Sequence, residues 1–167
     1  MPDTAPDQTN QAGEQRPPTA AKQWHGPGLW RRVGNVITGL LARVGIGPVH
    51  LLTTRGRKTG QAHTNPVLPV EHAGKRWLVA PYGAVPWVHN ARAAGRVSLR
   101  HGRTTRDYTV REVSPNEAGP VLKRYVAIAS IARSYFRADK DSPVDDFVAE
   151  ADRHPVFELT PLAEDVP

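Results

Sequence analysis

The order of apolar and polar residues predicts short strands with a few helices. Between residues 29 and 44 apolar residues recur at helical spacing, and the run ends at Gly45, Gly47 and Pro48. Beyond this point the apolar runs become short and β-prone, with turn residues between them. We expect strands at residues 49–54, 62–70, 76–80, 97–100, 104–113 and 156–159.

Three helices are expected within this β-rich part. Pro86 suits the first turn of a helix that runs to about Ala94, before Gly95. Ser114 with Glu117 three residues later forms a capping-box sequence, which opens a helix to about residue 134. A short third helix begins at residues 143–144. Local hairpins and flanking helices together indicate an α+β fold, an antiparallel barrel of about six strands with helices outside.

The length of 167 residues suits one domain. Residues 1–25 are polar and proline-rich, so we expect a disordered tail, a single domain over 26–161 and a short tail at 162–167. The first residues lack the apolar core of a signal peptide, which predicts a cytoplasmic protein. The apolar stripe of helix 29–44, with its arginines, could touch a membrane, although packing on the barrel is the more ordinary explanation.

Composition narrows the chemistry. The chain has no cysteine, which excludes disulfides, thiolate catalysis and iron–sulfur clusters. Its seven histidines are scattered and no acid pair stands out, so we expect no metal site and no acid–base machinery. Lys and Arg outnumber Asp and Glu by 22 to 16, which favours an anionic partner.

The segment between the first two expected strands concentrates that charge. Residues 53–60 have the sequence TTRGRKTG, with two glycines that let the chain reverse. Arg57 offers a planar fork, Lys58 a point charge and Thr59 a hydroxyl, and backbone amides at such a turn can form an anion nest. Phosphate or carboxylate is the natural ligand. A solvated hairpin whose charges prevent edge pairing is the alternative.

Three segments resemble the deazaflavin-dependent nitroreductase family. They are LLTTRGRKTGQAHTNPVLPV (51–70), WLVAPYGAVPWVHNARAAGRVSL (77–99) and HPVFELTP (154–161). The similarity covers about residues 49–161, and TTRGRKTG is its most specific part. The resemblance implies the split β-barrel of the flavin-reductase-like superfamily, an actinobacterial origin and use of reduced coenzyme F420.

That coenzyme carries a phosphodiester and several glutamates, so the resemblance gives the cationic hairpin a ligand. Arg57, Lys58 and Thr59 match the family's phosphate-binding positions. Arg55 could meet a tail carboxylate. His63 stands where members often carry Arg or Lys, and a neutral imidazole offers one donor.

The resemblance also implies residues around the deazaflavin ring. Pro66 would lie beneath the ring as an apolar platform, and Trp87 would pack on it or wall the site. Asn90 belongs to the same short helix as Trp87. The backbone amides of one loop would bind the pyrimidine edge; this loop consists of Pro81, Tyr82, Gly83 and Ala84. Core or edge packing is the plain alternative for Tyr82 and Trp87.

The acceptor side has fewer candidates. Tyr125, Tyr135 and Phe136 match a region where the family often places tyrosines, although no dense tyrosine cluster is present. Tyr135 is the candidate catalytic residue, because its phenol could donate a proton or steer an acceptor. Core packing is the favoured role for Phe136. A helix-surface position is favoured for His89, and His154 is expected to be structural.

The resemblance predicts an oxidoreductase that transfers hydride from reduced coenzyme F420 to a small hydrophobic quinone, enone or nitroaromatic. Catalysis would come from positioning in a site that excludes water. The alternatives are FMN on the same barrel and a carrier that binds the coenzyme without turnover. Nucleic-acid binding through the arginines of residues 92–106 is not favoured. Either a monomer or a homodimer is compatible with the family.

Overall fold

The structure is a computed structural model that describes residues 47–163. The expected tail at 1–25 and the expected helix at 29–44 lie outside these residues. The strands are β1 (His50–Arg55), β2 (Ala62–Val67), β3 (Val70–His72), β4 (Lys75–Val79), β5 (Arg96–His101), β6 (Thr104–Glu112) and β7 (Val156–Pro161). The helices are α1 (Pro86–Ala94), α2 (Pro115–Ile128) and α3 (Val144–Glu150), with 3-10 helices at Ser130–Tyr135 and Ala151–Arg153.

All seven strands belong to one sheet, in the order β2-β1-β5-β6-β7-β4-β3, and every neighbouring pair is antiparallel. The sheet curls into a half-barrel with the helices at its sides. The expected α+β fold, a mostly antiparallel split barrel with flanking helices, is confirmed.

The single strand expected at residues 62–70 is wrong. The chain leaves the sheet at Leu68 and Pro69, so that β2 pairs with β1 while β3 pairs with β4 at the opposite edge. Pro69 has no N–H to donate to a ladder, which favours a break there. Pro66 lies in β2, and β2 is an edge strand, where a missing N–H is tolerated.

The expected helix to residue 134 is also shorter. Its start is confirmed, because the Ser114 N–H donates to the Glu117 carboxylate over 3.3 Å. Its end comes at Ile128, and the chain then turns into the first 3-10 helix. The Arg133 guanidinium returns to donate to the carbonyls of Val126 and Ala127 over 2.9 Å each. The side chain thereby satisfies carbonyls that a helix end leaves unpaired.

The core has two parts, on opposite faces of β4. Trp77 and Val79 pack with the residues of α2 and α3, whereas Leu78 and Ala80 pack with those of α1. This alternation follows from the two-residue period of a strand. Among the helices within residues 47–163, none is long and apolar enough to cross a bilayer.

Candidate functional site

An apolar cavity of about 340 Å³ opens between the end of β4, the start of α1 and the turn after α2. This volume is within the range of small-molecule sites. Four of the predicted site residues line it together: Pro66, Pro81, Tyr82 and Trp87. The other lining residues are Val49, Val67, Leu68, Val79, Ala80, Val85, Tyr125, Ile128, Ala129, Ser130, Ile131 and Ala132.

Trp87 forms a fixed wall of this cavity. It follows Pro86 in the first turn of α1 and is 7% exposed. Its indole lies against the Phe157 ring of β7, with 5.8 Å between the centroids. One part of the Trp87 ring thus packs in the core, and another part lines the cavity.

In the loop before α1, several backbone groups hydrogen-bond to one another. Gly83 has a φ of 85°, and its N–H donates to the Ala80 carbonyl over 3.1 Å. The Val85 N–H donates to the Gly83 carbonyl over 2.8 Å. Within the part of the chain that is described, the N–H of Ala84 makes no hydrogen bond. Ala84 is exposed and is not among the residues that line the apolar cavity.

The hairpin between β1 and β2 also closes largely on itself. The Gly56 N–H donates to the Gln61 carbonyl over 2.7 Å, and the Gly60 N–H donates to the Gly56 carbonyl over 2.8 Å. The Gln61 N–H donates to Thr59 Oγ1. The backbone N–H groups that could form an anion nest are therefore mostly hydrogen-bonded already. The attraction for an anion consequently comes from side chains.

Three cations of this turn have no ion-pair partner within residues 47–163. Arg55, Arg57 and Lys58 are exposed, and no carboxylate among residues 47–163 lies within ion-pair distance of them. We call Arg55, Arg57, Lys58, Thr59 and His63 the hairpin tip. Its positive charge is open to a ligand from solvent.

The absence of a side chain at Gly56 allows two residues of the hairpin tip to lie close together. A methyl group at this position would lie 3.0 Å from His63 Nε2 and 3.1 Å from Thr59 Oγ1. The imidazole and the hydroxyl thus converge over a glycine that has no side chain to separate them. His63 therefore lies beside Thr59 on the hairpin.

Asn90 connects the hairpin tip to the cavity. It is 5% exposed, and its Oδ1 accepts from the Arg57 N–H over 3.3 Å. Its Nδ2 donates to the buried Thr54 hydroxyl over 3.4 Å. Trp87 lies three residues earlier on α1, about one helical turn or ~5 Å along the axis. The structure therefore gives Asn90 a place under the hairpin, with the apolar cavity one turn away.

The tyrosines lie at the cavity and its mouth. Tyr82 and Tyr135 are about half exposed and meet edge to face, with 4.6 Å between the ring centroids. Tyr135 lines a smaller cavity of about 200 Å³ beside the apolar one, together with Tyr82 and Gly83. Tyr125 lines the apolar cavity itself, and burial raises the pKa of its phenol, which stays protonated at neutral pH.

Two predicted structural roles agree with the positions observed. Phe136 is buried between Tyr125 and His154, with centroid separations of 6.2 and 4.0 Å. His89 is exposed on α1. Sequence reasoning missed the turn at residues 129–132, because the helix was expected to continue through it. The non-helical Ala129 folds this turn over the cavity.

A model of the family described as F420H(2)-dependent quinone reductase matches residues 30–145. A solved structure of an F420-H2 dependent reductase (FDR-A) is 29% identical, with a TM-score of 0.49 over 68% of this chain and 94% of that chain. Another solved structure, described as a domain-swapped dimer, is 26% identical, with a TM-score of 0.50 over 78% of this chain and 97% of that chain.

The fold is shared more widely. The protein Atu2129 of Agrobacterium tumefaciens, of unknown function, is 16% identical, with a TM-score of 0.51 over 75% of this chain and 54% of that chain. The family match, in contrast, spans more than half of the sequence and includes the hairpin tip and α1. The chain therefore belongs to the F420H(2)-dependent quinone reductase family and is an F420-dependent reductase.

Proposed function

We propose that the protein binds reduced coenzyme F420 across the apolar cavity and the hairpin tip and delivers its hydride to a small hydrophobic acceptor. One observation carries the proposal: Asn90 on α1 accepts a hydrogen bond from the hairpin tip, whose cations have no carboxylate partner among residues 47–163, and Trp87, one turn earlier on the same helix, lines the apolar cavity. An anionic ligand with a flat apolar ring needs both surfaces within reach of each other.

The walls of the apolar cavity would bind the coenzyme ring. Pro66 and Trp87 offer apolar surface from two separate elements, and the core contact with Phe157 holds Trp87 in place. A fixed wall limits the orientations of a flat ring and excludes water from it. The bound coenzyme supplies the hydride from its ring carbon, and the protein contributes position. Tyr82 lines the loop end of the cavity, where we place the pyrimidine edge, and the Ala84 N–H lies outside the cavity lining in the same loop.

Tail binding falls to the hairpin tip. Arg57, Lys58 and Thr59 would hold the phosphodiester through charge-assisted hydrogen bonds. Arg55 and His63 flank them and would meet the tail carboxylates. Since no described carboxylate neutralises these cations, no internal ion pair has to break on binding.

The acceptor would approach through the mouth. Ile131 is 86% exposed and Ile128 is 43% exposed, and both line the apolar cavity. Such exposed apolar side chains suit a quinone, an activated enone or a nitroaromatic. Tyr135, at the same opening, would steer the acceptor or give it a proton.

Assembly and location are part of the proposal. The relative described as a domain-swapped dimer supports a homodimer for this chain, which light scattering after size exclusion can test. A cytoplasmic location with peripheral membrane contact would bring the exposed Ile131 to lipophilic acceptors. Measuring whether the protein binds to anionic or to neutral vesicles tests for this membrane contact.

Titration with two cofactors tests the function. The wild-type protein should bind oxidised coenzyme F420 saturably and FMN more weakly, because FMN has a single phosphate. It should then oxidise the reduced coenzyme with menadione, followed at the deazaflavin absorbance band. Tighter binding of FMN would favour the FMN enzyme, and coenzyme binding without turnover of any quinone would favour a carrier.

A further inference from the structure

A buried histidine outside the hairpin tip reaches the loop of the proposed ring site. His154 follows the 3-10 helix Ala151–Arg153 and is 4% exposed. Its Nδ1 lies 3.0 Å from the Pro81 carbonyl oxygen. A carbonyl only accepts, so Nδ1 carries the hydrogen and donates it. Pro81 opens the loop that lines both the apolar cavity and the smaller one.

The other side of the imidazole faces the segment after Tyr135. His154 stacks on Phe136 with 4.0 Å between the centroids, and its Nε2 is 3.7 Å from a Glu150 carboxylate oxygen. Glu150 accepts from the N–H groups of Arg137 and Ala138 over 3.0 and 3.1 Å. Glu150 and His154 together thus fix both chain segments that meet at the Tyr82–Tyr135 contact.

The environment of Nε2 indicates that the His154 side chain does more than pack in the core. It is buried without a hydrogen-bond partner among the described residues. An unpaired buried polar atom costs free energy that an apolar side chain of similar size would avoid. Burial lowers the pKa of His154, so the ring is neutral at physiological pH and keeps one hydrogen, on Nδ1.

We propose that His154 is a positioning residue, which holds the Pro81–Ala84 loop in place for the coenzyme ring through its hydrogen bond to the Pro81 carbonyl. Glu150 completes the arrangement by fixing the segment that carries Tyr135. The inference rests on the proposed function for its ligand, and on the contacts of His154 for its mechanism.

Three substitutions separate hydrogen bonding from packing. His154→Asn places an amide N–H near the position of Nδ1 and keeps the bond to Pro81. His154→Gln places its amide nearer the position of Nε2 and loses that bond, although it also fills the space. His154→Leu removes both polar atoms. Each variant is measured for coenzyme dissociation constant, thermal midpoint and hydrogen exchange at the amides of Gly83 and Val85.

The Asn variant should bind the oxidised coenzyme within about threefold of wild type, and the Gln and Leu variants about tenfold more weakly, the size of one hydrogen bond. Exchange at Gly83 and Val85 should quicken in the Gln and Leu variants only. Equal behaviour of Asn and Gln would overturn the proposal, as would unchanged loop exchange in the Leu variant. If wild-type protein binds no coenzyme, the proposed function fails, whereas the exchange comparison still decides the role of His154.

Discussion

Two cation-bearing surfaces of the sheet differ in their partners among residues 47–163, because carboxylates neutralise the cations of one and not those of the other. At the junction of β4, β6 and β7, Lys75 and Arg111 both pair with Glu158, and Arg111 also pairs with Glu117 over 2.9 Å. We call these four residues the paired cluster. At the hairpin tip, by comparison, the cations face solvent with no described carboxylate beside them.

The difference separates a surface whose charges are paired among residues 47–163 from one whose cations are open to the anion of the proposed function. Arg111 holds the pKa of Glu117 down at about 2, so this pair stays charged and mutually satisfied across the physiological range. Exposed pairs of this kind add little stability. Unpaired like charges on a tight hairpin repel one another, and an anionic ligand relieves that repulsion. The comparison predicts that removing cations weakens coenzyme binding strongly at the hairpin tip and hardly at all at the paired cluster.

Removing charge should have the largest effect on binding. The double variant Arg57→Ala/Lys58→Ala loses two charge-assisted contacts, each about 1.5–3 kcal/mol, and should weaken coenzyme binding at least about 100-fold. Lys75→Ala/Arg111→Ala removes both cations of the paired cluster, the same change in net charge, and should leave binding within about twofold, which is the size of long-range screening effects. Fluorescence titration at fixed ionic strength measures both. An equal loss in the two variants would mean that net charge alone attracts the coenzyme.

Breaking the contact between the hairpin and α1 should have the next largest effect on binding. Asn90→Leu leaves the Arg57 N–H and the Thr54 hydroxyl without their partner, which should lower the free energy of unfolding by about 1–3 kcal/mol. Because the hairpin tip is then free to move relative to the cavity, binding should weaken about tenfold, roughly the effect of losing one oriented contact. Asn116→Ala, on the exposed first turn of α2, is the control. Destabilisation without loss of binding would assign Asn90 to the core alone.

Two glycines offer a matched test of site against core. In Gly119→Ala the new methyl would lie 2.6 Å from Val148 Cγ2 and 3.3 Å from the Val144 carbonyl, so the Val148 side chain must shift or α2 and α3 must move apart. Overpacking of this kind costs about 1–3 kcal/mol, seen as a lower chemical-denaturation midpoint with binding unchanged. Gly56→Ala crowds the ends of the exposed His63 and Thr59 side chains, which can move. It should instead weaken binding a few-fold, on the order of 0.5–1 kcal/mol, at nearly unchanged stability.

Acid should weaken the paired cluster slightly. The pKa of Glu117 is lowered from 4.5 to about 2 in the folded protein, so its stabilisation is present above pH 4.5 and is lost as the pH falls toward 2. Glu117→Gln should therefore be slightly less stable than wild type at pH 7 and equal to it near pH 2. Thermal midpoints across this range, with coenzyme binding at pH 7 as control, check the expectation. A gap that persists at pH 2 would show that the side chain acts through capping rather than charge.

Much of the hairpin could be predicted from the sequence, whereas the contacts that hold it in place could not. Glycines flanking Arg57 and Lys58 between two β-prone runs predicted the turn and its charge, because turn chemistry is local. The role of Asn90 could not be predicted in this way, since it depends on α1 and the hairpin meeting across 33 positions of sequence. The same reason hid the contact between His154 and Pro81, which are 73 positions apart.

The misplaced element boundaries depend on contacts between distant parts of the chain. Leu68 and Pro69 continue an apolar run, so the break between β2 and β3 depends on which partner strands the two halves find. The end of α2 was missed because residues 129–132 keep a helical composition, and the cost of leaving the helix is offset by Arg133 and by packing of Ala129 and Ala132. Tertiary contacts override propensity at both places.

A crystal structure of the protein with oxidised coenzyme F420 bound tests the central claim most directly. We predict the ring in the apolar cavity between Pro66 and Trp87, and the phosphodiester within hydrogen-bond distance of Arg57 and Lys58. A ring bound elsewhere, or a hairpin tip that still faces bulk water in the complex, would contradict the account.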